Sequence, residues 1–273
     1  MESVNYINNR STSRQSFRKL SMAILATLPL LAWYKIPFPV GLGLALVLFL
    51  SAYTIVVRSF KINVFAKAYK VPTSKIYSSH LGYYEMLSMY GDVNKKKSDH
   101  ILFFGRISPY KGVEYLLQAM EIVHQKHPDV RVIIAGGGKM YFDASKYESL
   151  DYVEIHNRFI ELDELADLIR GAMFTVCPYA DATQSGVVYS SFALNTPVIA
   201  TRVGGLPEMI DDGKTGIIVP PKDVNALASA IQSYLDNPEL LQEMRNNISE
   251  SAKTGKGSWN VVAKEYVDIY MER

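Results

Sequence analysis

Short apolar runs alternate with longer amphipathic stretches over residues 98–256. Each run has the length of a buried strand and ends in glycine or polar residues, as strands covered on both faces commonly do. This alternation predicts one parallel α/β domain with helices on both faces of the sheet, although it does not determine the strand order. The predicted strands are Ile101–Gly105, Val130–Gly136, Tyr152–His156, Phe174–Pro178, Pro197–Thr201 and Thr215–Val219.

The stretches between these strands carry apolar residues three or four positions apart, which is the spacing of one helical face. Two faces are marked by Val113, Leu116, Leu117, Met120 and Val123, and by Leu162, Leu165, Leu168 and Ile169. Further helices are predicted at Val187–Leu194, Asp223–Leu235, Glu239–Ser251 and Trp259–Tyr270. We expect the last helix to pack back toward the N-terminal segment, and the lysine-rich segment Gly91–Asp99 to be a linker.

The first sixty residues have a different pattern. Leu20–Trp33 is almost entirely apolar, and Val40–Val57 contains no charged residue. The second run would extend roughly 27 Å as a helix, close to the thickness of a bilayer core. Basic residues precede the first run and follow the second, so the positive-inside rule predicts a membrane hairpin with both ends cytoplasmic. The alternative is that both runs are buried inside a soluble domain.

Composition narrows the possible functions only modestly. The chain has 273 residues, 48% of them hydrophobic and 21% charged, with a net charge of +2. This near-neutral balance gives no reason to expect nucleic acid as a partner. The single cysteine, Cys177, excludes an internal disulfide and is interpreted as a buried strand thiol. No cluster of histidine, cysteine and acidic residues has the spacing of a metal site, so none is predicted.

The turn after the first strand carries two cations, Arg106 and Lys111, before a helix that is predicted to start at Gly112. Exposed amides at a helix N-terminus, with two added positive charges, predict an anion-binding site. Later strands also end in polar or glycine-rich turns, which are Gly136–Gly138, Gln184–Gly186 and Gly204–Glu208. A doubly wound sheet needs such turns where it binds a phosphorylated ligand.

The segments GRISPYKG, IIAGGG and PVIATRVGGLPEMIDDGKTGIIVPPKD, in this order, resemble the donor-binding C-terminal half of GT-B glycosyltransferases of family 4 (group 1 type). The resemblance covers roughly residues 98–250, with a weaker similarity at 53–90. It implies a Rossmann-like parallel sheet that binds a nucleoside-diphosphate sugar linked to uridine or guanosine. It also implies retention of configuration in the transferred sugar, with no metal or separate cofactor.

The resemblance assigns Arg106 and Lys111 to the donor diphosphate and places Asp181 with them as the catalytic residues. The donor contacts that it implies are Gly105, Arg106, Lys111, Gly137, Gln184, Ser185, Gly186, Val187 and Glu208. The family commonly holds the ribose with a second acid, which would fall near Ser190, where this sequence has none. Two alternatives remain, since Asp181 could cap a turn and Glu208 could serve only as a structural acid at a helix start.

Family members also have a complete acceptor-binding first domain, whereas fewer than one hundred residues precede the sheet here. We therefore expect a basic and apolar part over residues 1–60, a remnant of the acceptor-side domain with a linker over 61–97, and the nucleotide-sugar-binding domain over 98–273. A membrane surface or a partner subunit could complete the cleft. The chain could instead be a binding-only relative, or the product of a gene truncated at its 5′ end.

The function expected from this resemblance is transfer of a sugar from a nucleotide-diphosphate donor to a saccharide or lipid-linked acceptor. Cell-surface polysaccharide synthesis at the cytoplasmic face of the membrane is the expected setting, and a soluble cytoplasmic protein is the alternative. The competing function is a catalytically silent nucleotide-sugar-binding protein that acts with a partner subunit.

Overall fold

The computed structural model describes residues 62–77, 79, 81–98 and 100–271, so the predicted membrane hairpin lies outside the described residues. The chain divides into two compact units, one ending at residue 78 and the other spanning residues 79–273. In the first unit, residues 62–69 form helix α1 and Thr73–Lys75 form a short 3-10 helix. Among the described residues, no helix is both long enough and apolar enough to cross a membrane.

The second unit is built on a six-stranded sheet in which every neighbouring pair is parallel. This confirms the predicted α/β class. The strands, in chain order from β1 to β6, are His100–Phe104, Arg131–Ala135, Val153–His156, Thr175–Cys177, Val198–Thr201 and Gly216–Val219. Each lies within one residue of its predicted position or inside the predicted range.

The spatial order of the strands is β3-β2-β1-β4-β5-β6. The chain therefore begins in the middle of the sheet, runs outward to β3, and returns to place β4 on the other side of β1. In an open parallel sheet, loops leave in opposite directions where the order reverses, and a crevice forms at the carboxyl ends of the two strands. The reversal in this sheet lies between β1 and β4.

Helices α2 to α9 are Val113–His124, Ser145–Glu148, Leu162–Gly171, Gly186–Ala193, Leu206–Met209, Val224–Asp236, Pro238–Thr254 and Trp259–Met271. The helices that were predicted from their periodic apolar faces are all present. The single turn α3 was not predicted as a helix, because one turn is too short to show helical periodicity, whereas α6 contains Glu208, which the sequence places at a helix start. Helix α8 extends beyond the predicted range by one residue at its start and three at its end, and most of these added residues are exposed.

Strand β1 shows why its sequence is apolar without interruption. Ile101 and Phe103 belong to the core on one face of the sheet, whereas Leu102 and Phe104 belong to the core on the other. All five residues of the strand are buried, because successive side chains of a strand point to opposite faces and both faces are covered.

The segment before the sheet is fixed by the start of the C-terminal helix α9. The indole Nε1 of Trp259 donates to the carbonyl of Tyr83 at 2.8 Å, and the amide of Tyr83 donates to the carbonyl of Gly257 at 2.9 Å. The Tyr83 ring also lies 4.9 Å from the ring of Tyr189 in α5. The C-terminal helix thereby holds residues 81–84 beside α5. Tyr84 lies at the beginning of α5.

Candidate functional site

The loops that follow β1, β2, β4 and β5 meet at the carboxyl edge of the sheet. Backbone hydrogen bonds hold them together. These run from Gly105 to Ala135 at 2.9 Å, Ile107 to Gly137 at 3.1 Å, Ala180 to Tyr110 at 2.8 Å and Gly205 to Thr183 at 2.8 Å, with the amide named first. The predicted glycine-rich turns thus form one connected surface around the reversal of strand order.

Two glycines allow this close approach. Gly112 has φ of +66°, and a Cβ atom at this position would lie 2.1 Å from the carbonyl oxygen of Pro178. Gly136 has φ of +144°, and its Cβ would lie 2.1 Å from the carbonyl oxygen of Gly105. Any other residue would clash with the backbone of the neighbouring loop and would be strained in this conformation. The loops after β1, β2 and β4 are therefore held at backbone contact distance.

The two predicted cations occupy different environments. Arg106 is exposed, whereas Lys111 ends a short 3-10 helix and is partly buried. The Nζ atom of Lys111 lies 3.8 Å from the ring centroid of Tyr179 and 5.3 Å from that of Tyr110. Burial lowers the pKa of Lys111 from its ordinary value of 10.5, and the nearby thiol of Cys177 opposes this shift. Within the described part of the chain, neither cation has a carboxylate within ion-pair distance.

The N-terminus of α5 lies next to the β1 loop. Ser185 is the N-cap residue, and its Oγ accepts a hydrogen bond from the amide of Val187 at 3.3 Å. The same Oγ lies 3.0 Å from the hydroxyl of Tyr179. A methyl group of Val187 lies 3.8 Å from where a Cβ of Gly105 would be, which places the helix start against the turn after β1. The positive end of the α5 dipole is thus close to the loop that carries the cations.

At the N-terminus of α2, the first backbone amide already has a hydrogen-bond partner within the protein. The amide of Val113 donates to the hydroxyl of Tyr141 at 3.0 Å, and that hydroxyl donates in turn to the carboxylate of Glu114. Burial and the neighbouring Glu114 raise the pKa of Tyr141, so the phenol remains protonated. Because Glu114 supplies a negative charge at this helix start, the start of α5 is the better anion site of the two.

A cleft of about 430 Å³ opens between the loops after β1 and β2. Its lining residues are Arg106, Ile107, Ser108, Pro109, Gly137, Gly138 and Lys139. The Oγ of Ser108 is shielded from solvent and has no hydrogen-bond partner among the described residues. Since the charged lining residues are Arg106 and Lys139, the cleft is basic and holds a hydroxyl group that a ligand could satisfy.

The predicted site residues fall into three groups. Arg106 and Gly137 line the cleft, and the crevice between β1 and β4 is bordered by Gly105, Lys111, Ser185, Gly186 and Val187. Asp181 and Gln184 are exposed in the loop after β4, and Glu208 is exposed in α6, which follows the β5 loop. Position 190, where the family commonly has its second acid, is a buried serine within α5.

Four neighbours of the site were not predicted: Ser108, Lys139, Tyr179 and Tyr84. Lys139 directly follows the glycine turn, so its position in the sequence is a signal for the site. Tyr179 resembles the end of an apolar strand in the sequence, and its contacts with Lys111 and Ser185 arise only from the fold. Tyr84 is distant in sequence, yet its ring would lie 2.9 Å from a Cβ at Gly186.

The structure shows the environment of the single cysteine and the arrangement of side chains that could bind a metal. Cys177 is completely buried, and burial raises its pKa to about 11, so the thiol is protonated at neutral pH as expected for a strand residue. In the part of the chain that the structure describes, no three histidine, cysteine or acidic side chains come together as a metal site would require.

The close approach at Gly112 can be tested by comparison with Gly213, which has φ of +78° but no atom within 4 Å of where its Cβ would lie. We expect Gly213→Ala to lower the free energy of unfolding by about 1 kcal/mol, through backbone strain alone. Gly112→Ala should cost about 1–3 kcal/mol more, because the β4 loop must also move. Urea denaturation measures both values, and equal losses would show that the loops are not in tight contact.

Comparisons with known proteins agree with this architecture. A profile of the family described as "Glycosyl transferases group 1" matches residues 98–237. A D-inositol 3-phosphate glycosyltransferase of Corynebacterium kroppenstedtii is 33% identical over 180 residues, which cover 62% of this chain and 40% of that protein. The chain spans less than half the length of the curated relatives that it matches.

Two solved structures share the fold. A sucrose-phosphate synthase from Thermosynechococcus elongatus superposes with a TM-score of 0.59 at 26% identity, covering 70% of this chain and 51% of that one. The Anabaena protein HepE, solved in complex with UDP, has a TM-score of 0.56 at 16% identity, covering 65% and 50%. With more than half of its residues matched by the family profile, this chain belongs to the group 1 glycosyl transferases and has the GT-B type of sheet domain.

Proposed function

We propose that the chain binds a nucleoside-diphosphate sugar and transfers the sugar, with retention of configuration, to a saccharide or lipid-linked acceptor. The observation that carries this proposal is the placement of Lys111 beside the N-terminus of α5, at the reversal of strand order. A lysine without an acidic partner among the described residues and a helix start meet where a doubly wound sheet binds phosphorylated ligands. Arg106 adds a second positive charge on the same loop.

The donor would lie across the carboxyl edge of the sheet. Its diphosphate would contact Lys111, Arg106 and the first amides of α5, where both full charges and the helix dipole favour an anion. Its nucleoside would extend into the cleft beside Gly137, where Ser108 and Lys139 offer polar contacts. The volume of about 430 Å³ is within the range of small-molecule sites. UDP and GDP are the first ligands to test, and UDP is the one bound in the Anabaena structure.

Transfer requires charge stabilisation more than a strong base. As the bond between the sugar and the diphosphate breaks, negative charge develops on the diphosphate oxygens, which Arg106 and Lys111 would stabilise. The acceptor oxygen forms its bond to the anomeric carbon on the face from which the diphosphate departs. Its proton passes to an oxygen of the departing diphosphate. Asp181 is exposed in the loop after β4, where its carboxylate would stabilise positive charge developing on the sugar ring.

We expect Arg106→Ala and Lys111→Ala each to weaken the binding of UDP or GDP by roughly 10- to 100-fold, since each removes a charged hydrogen-bond donor. Isothermal calorimetry on the full chain measures the dissociation constants. Lys96→Ala is the matched control, because Lys96 is an exposed lysine on the segment that enters β1 from the opposite edge. Equal binding by all four proteins, or binding by none, would contradict the site.

Activity distinguishes an enzyme from a silent binding protein. The absence of an acid at position 190 is the observation that favours the silent alternative. Membranes from cells that express the chain, supplied with radiolabelled nucleotide sugars, should incorporate label. This incorporation should fall at least about tenfold for Lys111→Ala and for Asp181→Asn. Nucleotide binding without transfer or hydrolysis would instead support a binding subunit that acts with a catalytic partner.

The acceptor and the location are proposed from the sequence of residues 20–57. If these residues form a membrane hairpin, a lipid-linked acceptor can reach the site by lateral diffusion, and the sheet domain faces the cytoplasm, where nucleotide sugars are made. Cell-surface polysaccharide synthesis would be the corresponding process. We expect the chain to remain in the membrane fraction after a carbonate wash, whereas a version that starts at residue 62 should be released. Release of the full chain would remove the lipid-acceptor proposal.

A further inference from the structure

Tyr179 connects the two parts of the proposed anion site. It lies just after β4, and its side chain is fully buried, with 0% of its surface exposed. The centroid of its ring lies 3.8 Å from Nζ of Lys111, and its hydroxyl lies 3.0 Å from Oγ of Ser185. The cation on the β1 loop and the N-cap of α5 are therefore both in contact with one side chain.

The position of Tyr179 is itself fixed. The hydroxyl of Thr201, at the end of β5, donates to the carbonyl of Tyr179 at 2.7 Å. Its ring is enclosed in the core and cannot change rotamer without moving its neighbours. A flexible lysine and a loop serine are thus both positioned by a rigid group, and an aromatic ring is well suited to hold an ammonium group that is partly shielded from water.

The hydrogen bonds of Ser185 indicate a second consequence. Its Oγ accepts from the amide of Val187, and a phenol that donates to the same oxygen would occupy the remaining lone pair. The hydroxyl hydrogen of Ser185 would then be available to an anion at the start of α5. Burial raises the pKa of Tyr179 well above its ordinary value, so this phenol keeps its proton.

We propose that Tyr179 is a positioning residue for the donor diphosphate: its ring holds the Lys111 ammonium, and its hydroxyl holds Ser185, so that both act on the same anion. This inference rests on the proposed function. It adds that the two contacts of Tyr179 are separable, because the ring serves the lysine and the hydroxyl serves the helix start.

Two substitutions separate the contacts. Tyr179→Phe keeps the ring and removes the hydroxyl, and it should weaken UDP or GDP binding by up to roughly fivefold, the worth of one neutral hydrogen bond. Tyr179→Leu removes both contacts and should weaken binding by up to a further roughly 30-fold, the worth of a shielded cation–π contact. Calorimetry measures the dissociation constants, and thermal unfolding of the ligand-free variants reports their folding.

Double mutants distinguish positioning from general packing. In a Ser185→Ala background, Tyr179→Phe should cause no further loss of affinity. In a Lys111→Ala background, the Tyr179→Leu variant should bind the nucleotide with the same affinity as the Tyr179→Phe variant. A residue that merely fills the core would show the same loss in every background, because its effect would not depend on either partner.

The outcomes are distinguishable. If the wild type binds UDP or GDP, and the Tyr179 substitutions cause the same loss of affinity in the double mutants as they do alone, the positioning role is overturned. The proposed function is then left intact. If neither UDP nor GDP binds the wild type, the proposed function fails and this inference fails with it. Should Tyr179→Leu not fold, the cycle of Tyr179→Phe with Ser185→Ala decides alone: loss of the Tyr179→Phe effect in that background supports the inference, and persistence of the effect overturns it.

Discussion

The direct backbone contact between loops at the carboxyl edge of the sheet is the constraint on which the rest of the site depends. Side chains between these loops would separate them by several ångströms, and the lysine after β1 would no longer reach the tyrosine after β4. Glycine at positions 112 and 136 removes that separation. The parallel sheet supplies the strand ends, and the glycines allow the loops that leave those ends to form one surface.

The two helix starts at this edge are used differently. At α2, the hydroxyl of Tyr141 accepts a hydrogen bond from the amide of Val113 and donates one to the carboxylate of Glu114. At α5, the N-cap contact comes from a neutral serine, and no acid lies in the first turn. A negative side chain at α5 would compete with a bound phosphate for the same partial charge. This difference directs the proposed anion to the β4 side of the crevice.

Much of the fold could be predicted from the sequence, because burial on both faces produces uninterrupted apolar runs such as Ile101–Phe104. The order of the strands could not be predicted, since it depends on which faces of the helices pack together. The residues of the proposed site also differ in whether the sequence alone indicates them. Arg106 and Lys111 could be proposed because two cations stand in a turn between a buried strand and a helix start, where amides and added positive charge favour an anion. Tyr179 could not, because a tyrosine at a strand end looks like core until its neighbours are known.

The environment of Lys111 is consistent with the proposed anion site. Burial disfavours its charged form, which is why its pKa is lowered. The ring of Tyr179 offsets part of that cost, about 2 kcal/mol for a well-shielded contact, whereas burying a charge without a partner costs several kcal/mol. No carboxylate among the described residues supplies the remainder. A diphosphate would do so, because it offers a full negative charge where the protein has only an aromatic face. If the proposed site binds a diphosphate, the partly buried lysine would lower the stability of the empty site and increase the free energy that the incoming anion releases.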